Sequence, residues 1–505
     1  MNSADIAVAK PRERFLAWDL RAWSVVGLCV LAVGLRLIPI LVYPSIFYPD
    51  EIFQTIEQAH RIVFGFGLVP WEFQVGARSL LLPDAIAGLM ALARLFGGGA
   101  GVYLPLIAGS LAALSLASVL CGFLWARRLT GFAGGLVAAA AIAVWPDGIY
   151  FDARAFNEVV AGHVMLVALF LATGDAAAPT RRRLVILGAL LGLALVLRPQ
   201  LGPALAVVAL WVAWPALRAR LLPMALGAGL VLALDAGFDT VTLGYPFAWL
   251  HQNLLYNLHY GASAGFGVEP PQFYLLATLW LWGAAAPAVL LLAVLGARRL
   301  PLAATVAVVI IATHSAIGHK EIRFIYPALE LLVILAALGL ARIVAFIIER
   351  LGQRPDPLRW PGLAPMAALT LWCVGAGITA ATPNYLQLWN RSHAVLAAQA
   401  YVRSLPEVCG VATYQMSWLE TGGYAYFHRS VPWYRPADAG ELARLTPAFD
   451  TLVYEQPTPS AAGFETRQCF DEVCVAQRPG RCTPQPVPPL PWPVFLRDLR
   501  TTDRR

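Results

Sequence analysis

Long apolar runs separated by short charged segments dominate the pattern along this chain. A helix needs roughly 17 to 25 residues to cross a bilayer, and the runs are of about this length. They lie near residues 22–43, 102–126, 132–148, 157–174, 183–198, 200–216, 221–237, 273–296, 301–317, 325–347 and 362–381. The pattern predicts a polytopic α-helical membrane protein with about eleven to thirteen transmembrane helices.

One further apolar segment, 80–97, is ambiguous. If it crossed the membrane, every later loop would change sides unless another crossing had been missed. We therefore predict a re-entrant or interfacial helix there.

Basic residues set the predicted orientation, because cytoplasmic loops carry an excess of Arg and Lys. Clusters lie before the first run (Lys10, Arg12, Arg14, Arg21) and at Arg127–Arg128, Arg181–Arg183, Arg218 with Arg220, Arg298–Arg299 and Arg350 to Arg359. With these clusters on the cytoplasmic side, residues 44–79 form a first outer loop and residues 238–272 form a second outer loop.

The chain divides into two domains at about residue 382. Residues 1–382 form the membrane domain, and an odd number of spans places residues 383–505 outside the cytoplasm. This region alternates short apolar patches with turns, which is typical of a small α/β or β-rich domain. Its stretch PQPVPPLPWP predicts an extended tail.

The amino-acid composition and charge distribution argue against some classes of function. Hydrophobic residues make up 59% of the chain and charged residues 13%, well below the usual share in soluble domains. The net charge of +7 comes from short clusters between apolar runs rather than from a basic stripe, so a nucleic-acid partner is excluded.

The seven cysteines fall into two groups. Three lie inside apolar runs and behave as small hydrophobic residues, whereas four fall in the exported C-terminal region: Cys409, Cys469, Cys474 and Cys482. An even number there predicts disulfides without giving their pairing. Metal binding is the alternative, but a CxxC pair is missing.

Ionisable residues gather at the predicted outer ends of the runs. They include Asp50, Glu51, Asp147, Asp152, Arg154, Glu158, Arg198, Asp235, Asp239, His319, Lys320, Glu321 and Arg323. Charges at membrane ends are expensive unless paired, which indicates a functional or ion-pair site. Asp50 could instead cap a helix, and Arg198 could anchor a helix at the headgroups.

Four segments resemble one enzyme family. YPDEIFQTIEQAHRIVFGFGLVPWEF with ARSLLLP is similar to the first outer loop of the polyprenyl- or dolichol-phosphate-mannose-dependent mannosyltransferases of the GT-C superfamily. LRPQ at 197–200, the stretch 235–267 and HKEIRFIYPALEL at 319–331 match further family segments in the same order. The family's His before Pro-Asp-Glu is Tyr48 here, whereas the acidic pair is retained.

The resemblance implies a GT-C fold and roles for individual residues. It implies Asp50 as the catalytic base, with Glu51 as a second catalytic residue that positions the acceptor or a cation. Donor phosphate would be bound by Arg198, His319, Lys320 and Arg323. Residues with an acceptor-binding or structural role in the loops would be Trp71, Glu72, Arg78, Asn253 and Asn257. No metal or cofactor is implied.

The same resemblance implies the partners and the reaction. Mannose would move, with inversion, from a polyprenyl-phosphate donor to a glycan or glycolipid acceptor at the outer face of a membrane. The Arg-rich and Ala-rich sequence predicts a bacterial inner membrane with the site facing the periplasm. Three alternatives stay open: transfer of another lipid-linked sugar (glucose, arabinose or aminoarabinose), a glycolipid transporter or flippase, and a non-catalytic glycolipid-binding scaffold.

Overall fold

The computed structural model describes residues 11–174, 179–350, 362–457, 463–493 and 496. Its α-helices are α1 Pro11–Leu37, α2 Glu57–Phe64, α3 Trp71–Gln74, α4 Leu81–Leu95, α5 Ala100–Leu114, α6 Leu116–Ala143, α7 Pro146–Phe151, α8 Asn157–Ala172, α9 Arg181–Leu197, α10 Gly202–Ala213, α11 Leu217–Leu243, α12 Ala248–Leu254, α13 Phe273–Trp282, α14 Ala286–Ala297, α15 Pro301–Ser315, α16 Tyr326–Arg350, α17 Leu363–Ala380, α18 Pro383–Asn390, α19 His393–Ser404, α20 Gly423–Phe427 and α21 Ala439–Leu445. Short π-helical or 3₁₀ turns extend several of them, including Ile52–Ile56, Leu255–His259 and Ile322–Ile325.

The predicted membrane-spanning character is confirmed. Within the described residues, six helical stretches are long and apolar enough to cross a bilayer: Leu20–Val42, Ala100–Ala143, Pro199–Leu243, Phe273–Ala297, Ile322–Arg350 and Leu363–Ala380. Two shorter apolar helices, α8 and α15, accompany them. Each of the predicted runs coincides with one helix or with consecutive helices.

The longest stretches contain turns at positions that the sequence marks. In α6 the backbone leaves helical geometry at Gly131, whose φ of 80° is readily adopted only by glycine. This break lies just after Arg127–Arg128, where the sequence predicts a cytoplasmic connection between two spans. The stretch Pro199–Leu243 likewise divides into α10 and α11 around Trp214–Ala216.

The ambiguous segment 80–97 is a single helix, α4. It has 15 residues, and at 1.5 Å per residue it is about 22 Å long, shorter than the roughly 30 Å hydrocarbon core. Leu82, Ile86 and Met90 are buried on one side of the helix, which packs against α2 and α5. Its placement as an interfacial or re-entrant helix stays a prediction.

A buried set of polar side chains joins α1, α8 and α16, and we call it the inner charge cluster: Arg36, Asp152, His163, Tyr326 and Glu330. The Arg36 guanidinium lies 2.7 Å from an Asp152 carboxylate oxygen, and the Tyr326 hydroxyl donates to the same carboxylate. His163 Nδ1 lies 3.2 Å from Glu330. Each charge has an opposite partner, as a buried ion pair requires.

The C-terminal region is a small α/β domain, as predicted. Its strands are β1 Val411–Tyr414, β2 Trp433–Tyr434, β3 Thr451–Glu455, β4 Glu465–Phe470 and β5 Val473–Gln477, and they form one sheet in the order β2-β1-β3-β5-β4. The first three strands are parallel, and β5 is antiparallel to both β3 and β4. The predicted disulfides are present as Cys409–Cys482 and Cys469–Cys474.

This domain packs onto the first outer loop through a buried carboxylate. Glu57, on α2, accepts hydrogen bonds from the backbone N–H of Leu68 at 2.7 Å and of Ala425, on α20, at 2.8 Å. Burial raises the pKa of Glu57 to about 7, although these amide donors lower it. Beside it, His60 and His428 are in contact, with 3.1 Å between ring nitrogens.

Candidate active site at the outer ends of the helices

Asp50 begins the helical segment that leads through Ile52–Ile56 into α2. The carbonyl of Pro49 accepts hydrogen bonds from the amides of Ile52 and Phe53, which fixes the turn before the helix. The Asp50 side chain is 27% exposed, in contrast to its buried neighbours. Its Oδ2 accepts from Arg323, while Oδ1 has no hydrogen-bond partner among the described residues. Asp50 therefore presents one carboxylate oxygen to a ligand.

Arg323 lies at the centre of what we call the outer charge cluster: Asp50, Glu158, Arg198, Glu321 and Arg323. Besides Asp50, the Arg323 guanidinium donates to Glu158 at 2.8 Å and to Glu321 at 2.5 Å. Burial alone would raise the pKa of Glu321, but Arg323 and His319 lower it to about 2. Arg323 is thus surrounded by carboxylates before any substrate binds.

Arg198 is the second cation of this cluster. One guanidinium nitrogen lies 3.6 Å from Glu158, which therefore bridges Arg198 and Arg323. The guanidinium also stacks over the ring of Phe324, 4.9 Å from its centroid. Its Nε is buried and has no hydrogen-bond partner among the described residues. A buried donor without a partner is costly, so Arg198 retains capacity for an anionic ligand.

Glu72 and Arg78 extend the site along the first outer loop. Gln54 donates to Glu72 at 3.2 Å. Burial raises the pKa of Glu72, Arg78 lowers it, and Asp50 raises it further, so these charges act on one another across the site. The Nε of Arg78 is also buried without a partner in the described part of the chain. Asn253 donates to the carbonyl of Ala77, just before Arg78, at 3.1 Å.

His319 and Lys320 fasten the second outer loop to the segment before α16. The Lys320 ammonium donates to the carbonyls of Glu269, at 2.6 Å, and of Ile317 and Gly318. His319 Nδ1 lies 3.1 Å from the carbonyl of Gly267, and its Nε2 lies 3.3 Å from Glu321. Backbone carbonyls thus already surround Lys320, whereas Arg198 retains a free donor. A phosphate-binding role for either His319 or Lys320 stays a prediction.

Glu51 points away from Asp50 into the protein. It is 4% exposed and lies 2.6 Å from Arg154, which also donates to the backbone and hydroxyl oxygens of Ser45. Burial raises the pKa of Glu51, and Arg154 lowers it. Because the two carboxylates diverge, Glu51 contacts the residues that support the loop, and its predicted catalytic role stays untested.

The remaining predicted loop residues make structural contacts. Trp71 packs 5.7 Å from the ring of Tyr256, on the second outer loop. Asn257 donates to the carbonyl of Asn253, one helical turn before it. The contact between Trp71 and Tyr256 joins the two outer loops, whereas that of Asn257 lies within the second loop.

The sequence places Glu158 and Glu321 among the ionisable residues at the predicted outer ends of the runs but indicates no role for either. Glu158 follows the Asn at the start of α8, where a carboxylate is favourable at a helix N-terminus. Nothing in its local sequence indicates that it contacts two arginines, one 165 residues away.

Within the part of the chain that the structure describes, two groups of residues have the composition of a metal site, and neither fits one. The ligand atoms of Asp152, His163 and Glu330 lie within 4.8 Å of one another, but Arg36 already pairs with Asp152. In the second group, with Asp450, both cysteines are joined in a disulfide. A thiolate that is oxidised to a disulfide cannot ligate a metal.

Comparison with known proteins finds a matching sequence family. Residues 27–420 match the sequence profile of the Alg9-like mannosyltransferase family. The chain is 26% identical over 441 residues to the GPI mannosyltransferase 3 of Yarrowia lipolytica, covering 80% of this chain and 75% of that protein. It is 29% identical over 324 residues to the GPI mannosyltransferase 4 of Eremothecium gossypii, covering 60% and 63%.

A solved structure has a similar fold. ArnT from Cupriavidus metallidurans, bound to undecaprenyl phosphate, aligns over 92% of this chain and 99% of its own, with a TM-score of 0.57. At 13% sequence identity, this similarity concerns the fold alone.

Proposed function

Since this chain belongs to the Alg9-like mannosyltransferase family, we propose that it transfers mannose from a polyprenyl-phosphate donor to a sugar hydroxyl of a glycan or glycolipid. Membrane-bound mannosyltransferase activity follows from the family and from both GPI mannosyltransferase relatives. The donor, inversion at the anomeric carbon and the extracytoplasmic face are the proposed parts.

The observation that carries this proposal is the position of Asp50. A part-exposed carboxylate, with one free oxygen, contacts Arg323, and Glu158 links Arg323 to the second arginine, Arg198. Glycosyl transfer from a phosphate needs these two functions together: a base for the acceptor hydroxyl and cations for the leaving phosphate.

Asp50 acts on the acceptor. Its Oδ1 accepts the proton of the sugar hydroxyl while that oxygen attacks the anomeric carbon of mannose. The bond from this carbon to the phosphate oxygen breaks on the opposite face, which inverts the configuration. Arg323 keeps the carboxylate oriented through Oδ2. Glu51 and Arg154 hold the turn beneath it.

Arg198 and Arg78 act on the donor. When the bond breaks, the phosphate diester becomes a monoester and gains negative charge, which fixed cations stabilise in a site shielded from water. Both arginines have a buried Nε without a partner in the described structure. The guanidinium geometry also matches two phosphate oxygens at once. We therefore rank Arg198 and Arg78 above Lys320, whose ammonium contacts three carbonyls.

A lipid-linked donor suits the position of the site. The outer charge cluster lies at the ends of α8, α9 and α16, so a phosphate there can stay attached to a prenyl chain in the bilayer. Membrane lipid is then part of the donor's environment. The bacterial inner membrane and the periplasmic face stay predictions, since the named relatives are eukaryotic.

Transfer by the purified protein tests the proposal. The full chain in nanodiscs would receive synthetic polyprenyl-phosphate-mannose and a panel of mannose-terminated acceptors, with EDTA present, and products would be identified by mass spectrometry. We expect Asp50→Asn to lower turnover by about 10² to 10⁴-fold, the usual contribution of a general base. Asp84→Asn, on α4, is the matched control and should keep wild-type turnover.

The possible outcomes separate the parts of the proposal. Retained turnover in Asp50→Asn would remove the assignment of the base but keep the donor. Transfer only from a nucleotide-linked mannose would refute the lipid-linked donor. Loss of activity with EDTA that returns with a divalent cation would refute the metal-independent scheme.

A further inference from the structure

The C-terminal tail follows a fixed path from the sheet domain to the outer loops. Its root is fastened by the disulfide Cys409–Cys482. Further along, the amide of Gln485 donates to the Tyr434 hydroxyl at 2.9 Å, and Arg435 donates to the carbonyl of Pro488 at 2.9 Å. Proline-rich chain has little conformational entropy to lose on such docking, so an extended segment can be held by few contacts.

Trp492 of the tail lies in an aromatic box that it forms with both outer loops. The Trp492 indole is 7% exposed and packs against both Trp71 of the first outer loop and Tyr256 of the second, which also contact each other. Its Nε1 donates to Gln74 Oε1 at 2.7 Å. Leu496, 1% exposed, completes the same cluster.

This box adjoins the segment that carries the donor-site arginine. Trp71 and Gln74 bound α3, and Glu72 lies between them. The chain then turns at Gly76, whose φ is 68°, to reach Arg78. The segment 71–78 is thus held by Asn253 from the second outer loop and by Trp492 from the tail.

We propose that the C-terminal tail is a strap that positions Arg78, with Trp492 as the positioning residue. This inference rests on the proposed function, because it assigns Arg78 to the donor phosphate. By packing against Trp71 and Tyr256 and donating to Gln74, the indole fixes segment 71–78 before the donor arrives. Preorganised cations lose less freedom on binding, so the strap contributes to donor affinity rather than to the chemical step.

Two measurements on the full chain in nanodiscs test the strap. Hydrogen–deuterium exchange reports on segment 71–78 without needing activity; Trp492→Ala should speed its amide exchange by about tenfold or more. Kinetics with polyprenyl-phosphate-mannose should show a donor KM raised about tenfold and a kcat within about twofold of wild type. Trp492→Phe should restore most of the protection, because a ring again fills the box.

Matched variants distinguish loss of the strap from a general loss of protein stability. Val487→Ala, at an exposed position of the same tail, should change neither measurement. Gln74→Leu removes the acceptor of the indole N–H and should give an intermediate change in both; it carries the test if Trp492→Ala does not fold.

The proposal is overturned if amide exchange of segment 71–78 stays within about twofold of wild type in both Trp492→Ala and Gln74→Leu. It is also overturned if exchange accelerates while the donor KM is unchanged, since the tail would then hold a segment that the donor does not use. If the wild type transfers no mannose from this donor, the proposed function fails, and exchange alone still decides whether the tail holds the loops.

Discussion

The inner and outer charge clusters are built from similar side chains but differ in how completely those side chains are paired. In the inner charge cluster, Arg36 pairs with Asp152 and His163 with Glu330, all shielded from solvent. In the outer charge cluster, Asp50 is part-exposed with a free oxygen, and Arg198 has a buried donor without a partner. A part-exposed carboxylate with a free oxygen, rather than charge itself, distinguishes the candidate site.

The comparison predicts opposite consequences for neutralising one acid in each cluster. Asp152→Asn leaves the Arg36 charge buried without its partner, which typically costs about 3–5 kcal/mol of stability. We expect a large fall in melting temperature in detergent. Asp50→Asn should melt near the wild-type temperature, because Glu158 and Glu321 still contact Arg323. Equal melting of the two variants would break the distinction.

Glu57 lies outside both clusters and extends the comparison to a buried carboxylate whose main hydrogen-bond partners are backbone amides rather than a cation. Its pKa is raised from 4.5 in the unfolded chain to about 7. The contribution of Glu57 to stability is therefore fully present below pH 4.5 and is lost as pH rises through about 7. The free energy of unfolding should fall by on the order of 3 kcal/mol over this range. Between pH 5 and 8 the wild type should lose more stability than Glu57→Gln, measured by thermal melting. Parallel melting curves for the two proteins would contradict this.

Arg198→Lys tests whether the unpaired guanidinium N–H of the outer charge cluster binds the phosphate of the sugar donor. The substitution keeps the positive charge but removes the planar fork, so donor KM should rise about tenfold while stability changes little. Arg36→Lys in the inner charge cluster should instead lower the melting temperature and leave donor KM unchanged in the folded fraction. An unchanged donor KM in Arg198→Lys would remove this residue from the phosphate site.

Lys320→Met should have the smallest effect. If Lys320 mainly fastens the second outer loop, donor KM should change by no more than about threefold. Loss comparable to that of Arg198→Lys would mean that Lys320 reorients to the donor phosphate, as the family resemblance implies. Steady-state kinetics on both variants in parallel decides between these outcomes.

Sequence was informative where the physical signal is local. Apolar runs predict the spans because the bilayer sets their length, and the four cysteines of the polar C-terminal region predict disulfides because their number is even. The bridging contacts of Glu158 and the carbonyl contacts of Lys320 depend on backbone that is distant in sequence. The Pro-rich composition predicts an extended tail, but nothing in it indicates that Trp492 docks on Gln74.

The contact between Trp492 and Gln74 spans 418 residues of chain. At a synthesis rate of about 5 to 20 residues per second, the indole emerges roughly 20 to 80 seconds after its acceptor. The outer loops are therefore made long before Trp492, and its contact with Gln74 can form only after this delay. A prematurely terminated chain would enter the membrane with every span up to α17 but without this contact.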